Sequence, residues 1–253
     1  MNKKKRLTPK QIQQRWIIAI IVVGVLAGTS ALFGVYQPRV RNENVPTVKD
    51  FKAMEYIPLQ KGNYWLYTYE RRTASEGGKV DKTSGRIRME VKRTYQDSGY
   101  FLAVVQGDPL SCDSKATVGY LVSSNKVFNI PADQLKEFEA AARSKSDLPM
   151  DRLTSENNPI LELPLFEGQR WGLNQYMARS DGKYTWIVTR QRYEVLGSDE
   201  RAPVAKCYDL EYKTTGDRQT LTFAPAMGIL STGYKHFGTT DEFEVNLIGI
   251  HLE

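Results

Sequence analysis

The sequence predicts a mostly β protein, with an N-terminal transmembrane helix and an antiparallel β domain made of two similar units with one intervening helix. Three observations predict it. An unbroken apolar run occupies residues 16–36. Beyond it, runs rich in β-branched and aromatic residues alternate with Gly-, Asn- and Asp-bearing turns. The frame P-L-x-x-G-x-x-W occurs twice, as "PLQKGNYW" (residues 58–65) and "PLFEGQRW" (residues 164–171).

The elements follow in chain order. Residues 1–15 are a basic tail carrying Lys3, Lys4, Lys5, Arg6, Lys10 and Arg15. Residues 16–36 read "WIIAIIVVGVLAGTSALFGVY", with no Asp, Glu, Lys or Arg. A helix of that length rises about 30 Å, the thickness of a hydrocarbon core. Trp16 and Tyr36 stand at its ends, where amphipathic rings favour the interface. The basic flank places the N-terminus in the cytoplasm and the remainder outside, giving a single-pass protein of the cell membrane with an extracytoplasmic C-terminal domain. A cleaved signal peptide is the alternative, since "AGTSA" at 27–31 offers small residues for a peptidase. The apolar run continues through Leu32 and Phe33, which favours a retained anchor. No cysteine lies near the segment, so lipid attachment at a bacterial lipobox is excluded.

Residues 37–55 mix charge and proline without clear periodicity and read as a tether. Residues 56–130 form β unit one. After Trp65, alternation on both sides of the Glu76-Gly77-Gly78 turn signal predicts strand, loop and strand, and "GYFLAVVQGDP" predicts a strand running into a Gly-Asp turn. Residues 131–163 hold a helix and a connector. In "PADQLKEFEAAARSKSD", Leu135, Phe138 and Ala142 share one helical stripe, and Pro131 suits a helix start. "LPMDRLTSENNP" reads as irregular. Residues 164–253 form β unit two. There Asp181-Gly182 predicts a two-residue hairpin, and "CYDLEYKTTGD" another strand running into a turn. The domain is compatible with a two-lobed sandwich or a curved half-barrel.

The formal net charge of +6 suggests a nucleic-acid partner until its distribution is read. The six basic residues of the tail precede the first acidic residue, Glu43. Without them Lys+Arg and Asp+Glu balance at 29 each, so the β domain carries no nucleic-acid signature.

Candidate chemistry is sparse. Trp65 and Trp171 start strands, where tryptophan anchors a core; the functional alternative is an aromatic groove for sugars or peptides. Cys112 and Cys207 are the only cysteines, and outside a membrane they could form a disulfide joining the two units or remain separate thiols. His236 and His251 have no metal-ligand spacing. Asp209 and Glu211 alternate along one strand as a solvated face would, and Arg86, Arg88 and Glu90 alternate against Ile87, Met89 and Val91 as on a half-exposed strand. No catalytic motif is present, and neither cofactor nor metal is expected.

The repeated P-L-x-x-G-x-x-W, continued as W-x-Y at Trp65–Tyr67, and the stretch "FAPAMG" at 223–228 resemble uncharacterised bacterial envelope proteins, signal-bearing or membrane-anchored, whose β domains carry such P-L-x-x-G-x-x-W-x-Y and F-A-P-x-x-G motifs. The resemblance covers roughly residues 57–252. The second copy departs from it, with Leu173 where the first has Tyr67. It implies an envelope location and transfers no activity. The expectation is a non-enzymatic binding or interaction module with an envelope protein, lipid or glycan as partner. An envelope hydrolase or an assembly subunit of a membrane complex are the alternatives.

Overall fold

Alternating burial is what turns this chain into a sheet. In Tyr64–Ala74 the side chains of Trp65 and Tyr67 are buried while Glu70 and Arg72 are exposed, the period-two pattern of a strand with one wet face. The computed structural model describes residues 56–253, apart from 76, 98, 157–158 and 196–203. The basic tail, the transmembrane run and the tether lie outside the described residues. Among the described residues no helix is long and apolar enough to cross a membrane.

The strands in order are β1 (Tyr64–Ala74), β2 (Val80–Asp97), β3 (Tyr100–Asp108), β4 (Asp113–Ser123), β5 (Lys126–Ile130), β6 (Leu161–Glu162), β7 (Arg170–Gly172), β8 (Thr185–Val195), β9 (Val204–Lys213), β10 (Asp217–Ala224), β11 (Gly228–His236) and β12 (Asp241–His251). Between them lie α1 (Ala132–Ser144), α2 (Met150–Glu156) and α3 (Asn174–Met177). The strands form one antiparallel sheet in the order β6-β5-β4-β3-β2-β1-β12-β11-β10-β9-β8-β7. Each ladder joins sequence neighbours except β1–β12, where Thr73 faces Asp241 at one end and Tyr64 faces His251 at the other.

The sheet curls on itself. Inward residues from all twelve strands, among them Trp65, Ile87, Tyr120, Trp171, Leu210 and Phe243, pack into a single cluster. Its two ends come within side-chain reach: Gln169 Nε2 donates to the Glu162 carbonyl at 2.7 Å, and Trp171 Nε1 to the Pro159 carbonyl at 2.7 Å. The result is a nearly closed, barrel-like sheet with a filled interior. A separate, smaller core lies outside it, where Leu135, Phe138 and Ala142 of α1 and Leu153 of α2 cover Leu102, Val104, Leu121 and Phe128.

The expected helix at 131–147 is α1, with Pro131 at its N-cap and Lys145 in the left-handed region closing its C-terminus. Two expectations are corrected. The connector read as irregular contains α2, which places Leu153 on the sheet with no exposure. Ahead of Asp181-Gly182 there is no long strand. Gly172, at φ 148°, ends β7, and α3 follows, because Asn-Gln-Tyr-Met carries no β-branched residue to hold it extended.

The two P-L-x-x-G-x-x-W stretches adopt matching turns. In the first, Gly62 N–H donates to the Val91 carbonyl, Val91 N–H to the Asn63 carbonyl, and Asn63 N–H to the Gln60 carbonyl. In the second, Gly168 N–H donates to the Val188 carbonyl, Val188 N–H to the Gln169 carbonyl, and Gln169 N–H to the Phe166 carbonyl. Both glycines take positive φ, 100° and 83°, a region where an L side chain is strained. A bulge follows at the same place in each, between Val91 and Arg93 and between Val188 and Arg190.

Candidate functional site

The residues singled out in the sequence are not gathered together. Trp65 and Trp171 are 1% and 2% exposed, in the inner core. Their indole N–H groups donate to the carbonyls of Met227 and Pro159, so neither ring offers a face to solvent. Cys112 and Cys207 are separate buried thiols, with no bond between them. Burial pushes the Cys112 thiol up to about 11 and raises that of Cys207, so neither is set up as a nucleophile. Asp209 is bound by Arg192 Nε at 3.0 Å and by Thr222 Oγ1 at 3.0 Å, while Glu211 pairs with Lys213 and Arg218. Ile87, Met89 and Val91 point inward, and Arg88 and Glu90 pair on the outer face at 2.9 Å.

The structure draws attention instead to the outer surface of β1, β12, β11 and β10. The helices cover the outer side of β3 to β5, and among the described residues no helix packs on this part of the sheet. An open groove of about 510 Å³ lies here, lined by Glu70, Arg72, Arg218, Lys235, Glu242 and Glu244. Thr220 and Gly233 face each other between the strands, and a Cβ on Gly233 would come within 2.8 Å of Thr220 Oγ1. The missing side chain makes the dip.

Two carboxylates of the groove face each other across one ladder. Glu70 and Glu244 stand directly opposite one another on β1 and β12. Like charges in that position destabilise a ladder. Their cross-strand neighbours on the far sides are Ser84 and Gly233, neither of which supplies a positive charge. One step along, Glu242 is paired with Arg72 at 3.2 Å and Lys235 at 3.6 Å. Among the described residues neither Glu70 nor Glu244 has such a partner.

At the end of β10 and β11 lies a polar network. Asp217 accepts from Tyr234 OH at 2.6 Å, from His236 Nδ1 at 2.8 Å and from Thr214 Oγ1 at 3.2 Å. Hydrogen bonds from Tyr234 and His236 hold the Asp217 carboxyl below the usual carboxylate range, and the same bond from Tyr234 to Asp217 pushes the phenol up to about 12. A carboxylate orienting an imidazole is half of a hydrolytic site. Among the described residues no serine or cysteine side chain hydrogen-bonds to His236 to supply a nucleophile. No group of three or more His, Cys, Asp or Glu there is placed to hold a metal ion.

Sequence reasoning missed Glu70, Glu244 and Asp217. The outward positions of β1 were legible from alternation. The facing of Glu70 and Glu244 comes from the β1–β12 ladder, between segments some 170 residues apart, and no local signal encodes that register.

Comparison with known proteins gives no family: no family model matches the chain, and no curated protein matches its sequence. Among solved structures, an exported protein with a YmcC-like fold from Bacteroides fragilis is similar at 12% identity and TM-score 0.36, over 76% of this chain and 96% of that one. A structure described as a lipoprotein, from Parabacteroides distasonis, is similar at 12% identity and TM-score 0.33, over 78% and 98%. A LolA superfamily protein from Nitrosomonas europaea is similar at 12% identity and TM-score 0.23, over 81% and 92%. Likeness this loose identifies neither a shared function nor a shared ligand.

Proposed function

We propose that the chain is a single-pass protein of the cell envelope, anchored by residues 16–36, whose extracytoplasmic β domain is a non-enzymatic module that docks a protein partner on the outer face of β1, β12, β11 and β10. The envelope placement rests on the apolar run and its basic flank. The observation that carries the docking surface is the groove holding the opposed carboxylates Glu70 and Glu244. Small-molecule sites are enclosed and mostly apolar. This groove is open and lined by charged groups of both signs, which suits a charged macromolecular surface. A basic group of the partner would relieve the repulsion between the two glutamates.

The domain also reads as two diverged units, 56–130 and 164–253. The three matched backbone bonds and the matched bulge after each P-L-x-x-G-x-x-W support that reading.

The test is capture. The full chain, cross-linked in cells and purified in mild detergent, is expected to bring down one stoichiometric protein partner. The double variant Glu70→Gln/Glu244→Gln, which removes both charges and with them the repulsion, is expected to lose it with its melting temperature unchanged or raised. A wild-type chain that purifies alone, or a double variant that keeps the partner, sinks the proposal. The hydrolase reading is favoured by one observation, the imidazole held by Asp217. Turnover of an ester, peptide or glycoside by the full chain, abolished in His236→Gln, would replace the docking proposal.

A further inference from the structure

The hairpin of β8 and β9 runs out past the body of the sheet. On one side β7 pairs only with Thr185, Trp186 and Ile187 of β8. The segment before β7 adds two backbone bonds to Val188. On the other side β10 pairs with β9 only as far as Tyr208. Residues 191–195 and 204–207 are therefore a two-stranded ribbon among the described residues, flanked by no third strand. Such a ribbon is marginal in water by itself.

It also exposes three large hydrophobic side chains. Tyr193 is 70% exposed, Val204 64% and Val195 57%. Native edges are normally blunted by charge, proline or a covering element. Here the covering stops at Gln191, whose N–H donates to the Glu167 carboxylate at 3.1 Å. That bond fixes the direction of the edge. The N–H of Gln191 points away from β9, and alternation gives Tyr193 and Val195 the same outward backbone groups. Beside the ribbon, Val195, Met227, Leu230 and Ile248 line a further open hollow of about 440 Å³.

We propose that this edge pairs with the same edge of a second copy of the chain, β8 against β8, antiparallel, about a two-fold axis at Tyr193. The sequence "QRYEV" at 191–195 is self-complementary in that register. Tyr193 faces Tyr193 of the second copy, and the two exchange both backbone hydrogen bonds. Gln191 faces Val195. Arg192, which its own Asp209 and Glu194 hold in place, faces Glu194 of the second copy, so charges of opposite sign meet across the seam on one face of the ribbon. A one-residue slip would oppose a charged side chain to an uncharged one and turn the outward backbone groups out of register. An isologous contact of this kind closes at two subunits, because the same β8 edge is used up on both copies. The inference is independent of the groove on β1 and β12.

The test is made on the full chain in mild detergent. Wild type is expected to sediment at twice the protomer mass, and Tyr193→Pro, which removes the central N–H, as a monomer with an unchanged melting temperature. The native cysteines are buried, so single added cysteines report the register. Under oxidant, Tyr193→Cys is expected to form a covalent dimer and Gln191→Cys alone is not, while a mixture of Gln191→Cys and Val195→Cys chains cross-links. A monomeric wild type at micromolar concentration overturns the proposal. So does equal cross-linking at 191 and 193, or a complex whose added mass is a different protein held at Tyr193.

Discussion

The two P-L-x-x-G-x-x-W corners are nearly the same turn and lead to different strands. Each makes the same three backbone hydrogen bonds, buries its leucine and its tryptophan, and places glycine at positive φ. Yet Trp65 opens an eleven-residue strand flanked on both sides, by β2 and β12, while Trp171 opens a three-residue strand at the end of the sheet. The difference begins one residue after the tryptophan. Leu66, Tyr67, Thr68 and Tyr69 favour extended backbone. Gly172, Leu173, Asn174 and Gln175 do not, and the chain turns into α3. An eight-residue frame thus specifies a corner, and the residues beyond it decide how much sheet the corner starts.

That contrast can be broken or sharpened by substitution. The largest effects belong to the tryptophans. Trp65→Ala should cost about 5 kcal/mol and Trp171→Ala about 3, both read from urea unfolding, because a cavity between two flanking strands collapses less than one at a sheet end. Equal losses would mean that the corner, and not its strand, sets the cost. Next come the residues before each strand. Asn63 is fully buried, donates to the Pro58 carbonyl and to Gln60 Oε1, and accepts from Glu253 N–H at 2.8 Å. Asn63→Ala should lose about 2–3 kcal/mol and Gln169→Ala about 1, as fewer buried groups are orphaned at the second corner. Gly62→Ala and Gly168→Ala should each lose roughly 1–2 kcal/mol, since the shared backbone conformation is what the substitution strains. A large gap between those two would show that the turns are less alike than their hydrogen bonds.

The smallest effect extends the contrast to two carboxylates, one in each half. Asp108 is buried, and desolvation raises its pKa despite hydrogen bonds from Ser111 and Leu110. Asp217 is partly exposed, and its hydrogen-bond donors lower its pKa. The signs are opposite. A raised folded-state pKa gives a contribution that is greatest below the unfolded value and is lost as pH rises through the folded value; a lowered one gives a contribution present above the unfolded value and lost as pH falls through the folded value. Relative to wild type, Asp108→Asn should therefore gain stability as pH rises toward neutral. Asp217→Asn should lose it, by less than about 1 kcal/mol after solvent screening, with the gap closing below about pH 4. Parallel slopes for the two variants in thermal melts across that range would refute the contrast.

Much of the sheet was legible because its information is local. β9 runs into its Thr-Gly turn as the sequence predicts, β3 keeps Gly107 and Asp108 as its last two residues and turns just after them, and α1 follows its apolar stripe. The corners were legible as turns from one proline and one glycine. Closure of the sheet was not, because it depends on β1 meeting β12 and on Gln169 reaching Glu162. The helix α2 was hidden in a polar stretch whose main anchor is one leucine. The groove was invisible for the same reason as the closure: Glu70 and Glu244 become a pair only through a long-range register.

The β1–β12 ladder has one more consequence, which concerns time. Every other ladder can form as a hairpin or short meander soon after its residues are made. β1 must wait for the last strand of the chain. At roughly 5–20 residues per second of synthesis, the interval between the two is on the order of ten to thirty seconds. Throughout it, the side of β1 that later meets β12 is an unpaired edge able to recruit the wrong strand. The middle of the finished sheet is therefore the last part to be safe, and the folding cell must shield the nascent domain there first.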